Sequence, residues 1–265
     1  MPPPKKRDKA RRDLWPRFAT GTEAIAEIRS ITDTILLSFS RGKDSWGAYL
    51  ALRDFRPAFK RIIPFFYWLT PGLAVENEYL DYCETIFKEH IYRLPAPGFW
   101  KTIGRYKWQP PGNISIIDSA RPPQFGSDDL AQWLWNDLGM KGRPWVALGV
   151  RAVDSPLRWA ALKKSGFVNY TRMVFYPVAD LKAAPLSEMI SRAGVKLPAD
   201  YHIWGRSFDG LDRRFTEGLK QYYPADYKRL LEFYPLADAD IWRAIYGRRH
   251  AAQSDEGQGT NPTGD

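Results

Sequence analysis

Five short, mainly apolar runs constrain this chain more than any other feature. They fall at residues 34–40 (Thr-Ile-Leu-Leu-Ser-Phe-Ser), 61–69, 91–94, 145–150 and 174–178. A strand covered on both faces reads as such a run, because neither side chain direction meets water. Helix-patterned stretches separate most of the runs. Thr22 followed by Glu23 opens a capped helix, Asp44 to Arg53 follows the first run, and 74–89 follows the second. Ser127-Asp128-Asp129 caps a helix to Leu138, and Ser155-Pro156 starts one to Lys164. Strands alternating with helices predict an α/β fold: a doubly wound, mainly parallel five-stranded sheet with a helical C-terminal extension. Pro64 argues that the start of the second run is not centrally paired, since proline lacks the ladder donor.

The chain has 265 residues, enough for one α/β domain with extensions. The expected organisation is a basic disordered arm over 1–18, an α/β domain over 19–185, a helical extension packed on it over 186–249, and a disordered tail over 250–265. Residues 95–126, rich in Pro and Gly, read as an ordered loop region of functional length with one short helix. One cysteine, Cys83, excludes an internal disulfide framework and any multi-cysteine metal site. His90, His202 and His250 are isolated, so no protein-held metal is expected. No run of about 18 apolar residues exists, so no membrane-spanning helix is expected. The start, Met1-Pro-Pro-Pro-Lys-Lys-Arg, lacks the apolar core of a signal peptide, and a cytoplasmic location is expected. The net charge is +9. Nearly half of the excess lies in residues 1–13, an arm able to make weak nucleic-acid contact by counterion release. The remainder suits an anionic ligand.

In a doubly wound sheet ligands bind beyond the carboxyl ends of strands, so the residue types just after each strand matter. After the first run comes Ser38-Phe39-Ser40-Arg41-Gly42-Lys43-Asp44-Ser45. Gly42 permits a tight turn, successive N–H groups can converge on an anion, and the helix N-terminus adds partial positive charge. Ser40 and Ser45 offer hydroxyls and Lys43 a mobile cation, so a phosphate group is the natural guest. This is not a Walker A loop: Asp44 stands where Ser or Thr would bind magnesium, and the earlier glycine is missing.

This loop resembles the S-x-S-G-G-K-D-S pyrophosphate loop of the adenine nucleotide alpha-hydrolase superfamily, the PP-loop ATP pyrophosphatases. Within that superfamily the chain resembles the phosphoadenosine phosphosulfate (PAPS) reductase family. Arg41 stands in place of the first glycine, where it either adds a phosphate contact or points to solvent. Leu148-Gly149-Val150-Arg151-Ala152-Val153-Asp154-Ser155-Pro156-Leu157-Arg158 is similar to the family's G-x-R-x-x-E-S-x-x-R segment, with Asp154 for the usual Glu. Arg suits bidentate recognition of phosphate or sulfate, although Asp154 and Arg158 at i and i+4 also read as a plain surface pair. Thr70-Pro71-Gly72 falls where the family's second strand ends beside the adenosine. The segment Trp204–Gly210 looks like a variant found in phage and mobile-element members, and no role is carried over to it.

The resemblance implies Lys43, Asp44 and Arg151 as catalytic residues. It implies Ser38, Ser40, Arg41, Gly42, Lys43, Asp44, Ser45, Thr70, Gly149, Arg151, Ser155 and Arg158 as nucleotide contacts. ATP or PAPS is the implied nucleotide, with Mg2+ carried on it and Asp44 orienting the loop or holding that ion. True PAPS reductases end in a Glu-Cys-Gly-x-His-like motif whose cysteine attacks sulfur, and this chain has none. Three functions stay open: a PP-loop enzyme cleaving ATP at the α-phosphate to adenylate an acceptor; a sulfonucleotide reductase or sulfotransferase using a partner's thiol; and a non-catalytic nucleotide-sensing or DNA-modification subunit acting through a partner such as a nuclease.

Overall fold

A computed structural model describes residues 18–205, 207, 211–239, 241–243 and 246. The basic arm, the tail and most of Trp204–Gly210 lie outside these residues. The chain divides into two compact units, neither a single stretch of sequence. One comprises the residues up to Tyr67 with Cys83–Leu94 and Gly126–Leu197; the other comprises Trp68–Tyr82, Pro95–Phe125 and the residues from Pro198 on.

The first unit is built on the sheet. Helix α1 (Gly21–Ile31) precedes β1 (Thr34–Ser38), α2 (Lys43–Asp54) and β2 (Arg61–Trp68). Helix α3 (Ala74–Phe87) leads to β3 (Tyr92–Pro95). Farther on come α6 (Ser127–Asp137), β4 (Val146–Leu148), α7 (Pro156–Ser165), β5 (Val168–Asn169), β6 (Val174–Phe175) and α8 (Ala183–Arg192). The sheet has six strands in the order β3-β2-β1-β4-β6-β5, parallel except where β5 pairs antiparallel with β6. The expected count of five misses β5, a two-residue strand too short to show any periodicity. The cap of α1 is Thr20, not Thr22: its hydroxyl accepts from Glu23 N at 3.2 Å, and the Glu23 carboxylate accepts from Thr20 N at 3.1 Å.

Strand β2 pairs with β1 along its whole start, with Pro64 in register with Leu37. Proline is tolerated there because residues along a parallel strand bond alternately to the two neighbours. The Phe65 carbonyl accepts from Phe39 N, just past β1, and the Trp68 carbonyl accepts from Ala96 N, just past β3 on the other side. Alternation therefore turns the missing Pro64 donor toward β3, which begins only at Tyr92.

Both faces of the sheet are covered. Leu36, Phe65, Val146 and Val174 pack with Leu134 and Trp135 of α6. On the opposite face Phe39 meets Trp46 of α2 edge-on at 5.3 Å and Phe87 of α3 at 4.9 Å. Strand order runs one way from β1 through β2 and β3, and the other way through β4. The reversal at β1 and β4 leaves a crevice at their carboxyl ends.

The second unit holds α4 (Pro97–Gly104), α5 (Ile114–Ala120), α9 (Asp200–Trp204), α10 (Arg213–Tyr222), α11 (Pro224–Phe233) and the first turns of α3. Its core gathers Leu73, Val75, Phe99, Phe215, Leu219, Leu230 and Tyr234. Helix α3 is capped from a distance. The buried Asp226 carboxylate accepts from Ala74 N and Val75 N, both at 2.8 Å, filling two donors that a helix start leaves open. Asp226→Ala should lower the melting temperature by an amount equivalent to about 2 kcal/mol, the upper range for a lost cap, and Asn should recover part of it. An unchanged melting temperature would remove the cap from the account. No helix among the described residues is long and apolar enough to cross a membrane.

Candidate functional site

The site grows from the end of β1. Ser38 closes the strand, and the chain then passes through Phe39 and the exposed Ser40 to Arg41. The left-handed residue of this turn is Arg41, at φ +65°, not Gly42. Gly42 is extended (φ −75°, ψ 161°) and precedes α2 as a cap with no side chain. Its carbonyl accepts from Ser45 Oγ at 2.8 Å and from Trp46 N at 3.1 Å. Ser40 Oγ donates to Ser45 Oγ at 3.3 Å, so the two hydroxyls brace the loop across the first turn. Lys43 and Asp44, both half-buried, stand on that turn.

Arg41 does not point to solvent. Its side chain is 1% exposed, and its guanidinium lies 5.4 Å from the centre of the Phe66 ring. Phe66 follows Phe65 on β2, so this contact is on the sheet face opposite the one that Phe65 covers.

Strand β4 brings the second segment alongside. Leu148 is in register with Ser38, and Gly149 follows where the first turn of α2 passes. A Cβ on Gly149 would fall 2.6 Å from both the Asp44 carbonyl oxygen and Ser45 N. Only a residue without a side chain allows the two backbones this close. The approach delivers Arg151, which is 5% exposed, to the loop. Its Nε lies 2.7 Å from Asp44 Oδ1, an ion contact without hydrogen-bond alignment, and its Nη2 donates to Asp154 Oδ1 at 2.8 Å. Nη1 is buried and makes no hydrogen bond. Asp154 Oδ2 accepts from Arg158 Nη1 at 3.2 Å, and the Arg158 side chain is half exposed. Ser155 caps α7, its hydroxyl accepting from Arg158 N at 3.2 Å. Burial pushes the Asp44 carboxyl above the usual carboxylate range; the Arg151 guanidinium opposes this and the Asp154 charge adds to it.

Loop 38–45, Gly149, Arg151, Ser155 and Arg158 thus lie in one unit, around the switch point. Thr70 lies in the other unit, buried, with a hydroxyl that makes no hydrogen bond. Cys83 is fully buried within α3. The donor set does not build a magnesium site, because the Asp44 and Asp154 carboxylates both already face guanidinium groups.

Ser38 also lines a cavity of about 70 Å³ on the α6 face of the sheet, with Tyr67, Asp128, Gln132, Arg143 and Arg172 among its walls. Asp128 and Arg172 form a bidentate pair at 2.6 and 3.0 Å, and Tyr67 Oη donates to the Ser127 carbonyl at 3.0 Å. Burial raises the Tyr67 hydroxyl far above its ordinary range. Except for Ser38, these residues escaped the sequence reading. Ser127-Asp128-Asp129 reads there only as a helix start, and Arg143 and Arg172 carry no motif.

No family model matches the chain. No curated protein matches it either. Among solved structures it is similar to a U34-tRNA thiolase from Methanococcus maripaludis with its 4Fe-4S cluster, at 12% identity, covering 77% of this chain and 72% of that one, TM-score 0.39. It is similar to a PAPS reductase from Candida auris in a phosphate complex, at 14% identity, covering 71% and 90%, TM-score 0.39. It is also similar to an NH3-dependent NAD synthetase from Campylobacter jejuni with a nitrate ion, at 14% identity, covering 92% and 97%, TM-score 0.40. Each likeness is loose.

Proposed function

We propose that this chain is an adenine-nucleotide-binding enzyme of the PP-loop type that cleaves ATP at the α-phosphate and adenylates an acceptor. One observation carries the reading: a buried guanidinium, that of Arg151, is brought against the first turn of α2 at the switch point of the sheet, with Nη1 making no hydrogen bond. Helix N-terminus and guanidinium together favour a polyanion. Cys83, buried in its helix, gives no support to sulfur chemistry by this chain alone.

In this reading the triphosphate lies along residues 40–45. An acceptor oxygen attacks the α-phosphorus, the bond to the bridging oxygen breaks, and pyrophosphate leaves with that electron pair. Lys43 offsets the charge that develops, and Arg151 holds the distal phosphate, with Asp154 fixing its orientation. Asp44 orients Arg151 rather than binding metal; magnesium belongs to the nucleotide as substrate. The cavity beside Ser38 takes the base.

The test is calorimetry with ATP, PAPS and AMP side by side, with an assay for pyrophosphate release. Lys43→Ala should lower release by about 10²–10³-fold, the range for losing one preorganised charge-stabilising group. Full activity in that variant would sink the scheme. Sulfite from PAPS and thioredoxin would replace it with a reductase using a partner's thiol. ATP binding without pyrophosphate release would replace it with a nucleotide-sensing subunit.

A further inference from the structure

Most polar groups in the wall of the cavity beside Ser38 are already committed. Tyr67 Oη donates to the Ser127 carbonyl, and both Asp128 oxygens accept from Arg172. Arg143 Nη2 donates to the Thr171 carbonyl at 3.3 Å. Phe65, Val146 and Val174 add apolar wall. Gln132, one turn beyond Asp128 on α6, differs from these. Its amide nitrogen donates both protons, one to Asn136 Oδ1 and one to the Gly142 carbonyl, each at 2.9 Å. A backbone carbonyl can only accept, so the Gly142 contact fixes which end of the amide is nitrogen. The other end, Oε1, accepts no hydrogen bond from the described residues. Two contacts thus hold a pure acceptor in one orientation on a residue of the cavity wall.

Resting on the nucleotide reading above, we propose that Gln132 selects the base: its fixed carbonyl oxygen accepts from an exocyclic amino group, as on C6 of adenine, and rejects a 6-oxo purine. The volume favours recognition at an edge. The cavity holds about 70 Å³, under half of the ~150 Å³ that takes a benzene ring, so one edge of the base enters and the group on that edge decides the fit. An amino edge brings a donor to Oε1. An oxo edge brings a second acceptor, and two sets of lone pairs face each other with no proton between them. Ser38 cannot make this choice, because a hydroxyl turns to donate or accept as required. Gln132 cannot turn in the same way. Reversing its amide would set an oxygen against the Gly142 carbonyl and lose that bond.

The test titrates the full chain with ATP, inosine triphosphate and purine riboside triphosphate, which carry an amino group, an oxo group and a hydrogen at C6. Inorganic pyrophosphate serves as a probe without a base. Wild type should bind purine riboside triphosphate about tenfold, and inosine triphosphate about 10²-fold, more weakly than ATP; these are the scales of one lost hydrogen bond and of one acceptor left facing another. Gln132→Leu removes the acceptor at similar volume. Its ATP affinity should fall about tenfold, the three nucleotides should then bind nearly alike, and pyrophosphate should be unchanged. Gln132→Met, unbranched, repeats the measurement if Leu lowers the melting temperature. Wild-type affinity for inosine triphosphate equal to or above that for ATP overturns the proposal without any variant. So does an undiminished ATP preference in a folded Leu or Met variant. A variant that weakens pyrophosphate and all three nucleotides together gives Gln132 a structural role and overturns it too. Failure of the wild-type chain to bind either ATP or pyrophosphate would instead overturn the nucleotide reading.

Discussion

Arg151→Ala should cost both stability and ligand, and the two losses should separate by pH. Removing the guanidinium leaves Asp44 facing no cation at 2.7 Å and leaves Asp154 with Arg158 alone. Breaking a buried pair costs about 3–5 kcal/mol. The Asp44 side chain keeps about a quarter of its surface open, so about 2–4 kcal/mol is expected here. Asp44 already titrates above its ordinary value of 3.8, because burial disfavours its charge. A raised carboxyl holds its proton in the folded state to higher pH than in the unfolded chain. Its contribution to stability therefore falls as pH rises through the interval above 3.8. Removing Arg151 removes the influence that lowers this value, so the interval extends upward. The melting-temperature difference between wild type and Arg151→Ala should be largest near neutral pH and should shrink toward acid, as Asp44 takes up its proton. A difference that grows toward acid would place the coupling elsewhere. For the ligand, charge-assisted bonds worth about 1.5–3 kcal/mol each predict an ATP affinity loss of tenfold or more, with AMP nearly indifferent. Lys should rescue only partly, because a point charge cannot replace a planar fork. Equal losses for AMP and ATP would give Arg151 a structural role.

Gly149→Val should disable the same site by displacement. The added side chain would enter at 2.6 Å from backbone atoms of Asp44 and Ser45, and backbone cannot swing aside as a side-chain tip can. The first turn of α2 or the end of β4 must move. Overpacking of this kind costs about 1–3 kcal/mol of stability. The larger effect should fall on binding, since a shift of about 1 Å in a positioned group is enough to cost about 10²-fold. Gly149→Ala should show the same two losses, smaller. Titration of ATP against all three proteins, with melting temperatures alongside, reads both. A Val variant that melts and binds as wild type would mean that the loop and the end of β4 do not approach each other as described.

The apolar runs carry the sheet because a strand covered on both faces has to read that way. Ile35, Leu36 and Leu37 are consecutive and all fully buried. The loop carries its own local signals too: a strand end and a helix start, read at Asp44 and found at Lys43. Three things were hidden for physical reasons. Strand β5 is shorter than any period. The tolerance of Pro64 depends on which neighbour begins first, a property of the sheet and not of the run. The cavity on the α6 face draws Ser38, Tyr67, Asp128, Arg143 and Arg172 from distant stretches, and no spacing rule links them.

The sequence by itself determined that strands and helices alternate, that the sheet is mainly parallel, and that an anion-suited loop follows the first strand. Those are consequences of short-range pattern and of residue chemistry. Only the tertiary structure decided that β4 lies beside β1, because strand order is set by long-range packing. From that adjacency follow the contact between Gly149 and the first turn of α2, and the guanidinium of Arg151 against Asp44. Only the tertiary structure, too, turned Arg41 inward. Its sequence position allowed solvent or ligand, and the space beneath the loop beside Phe66 placed its charge inside.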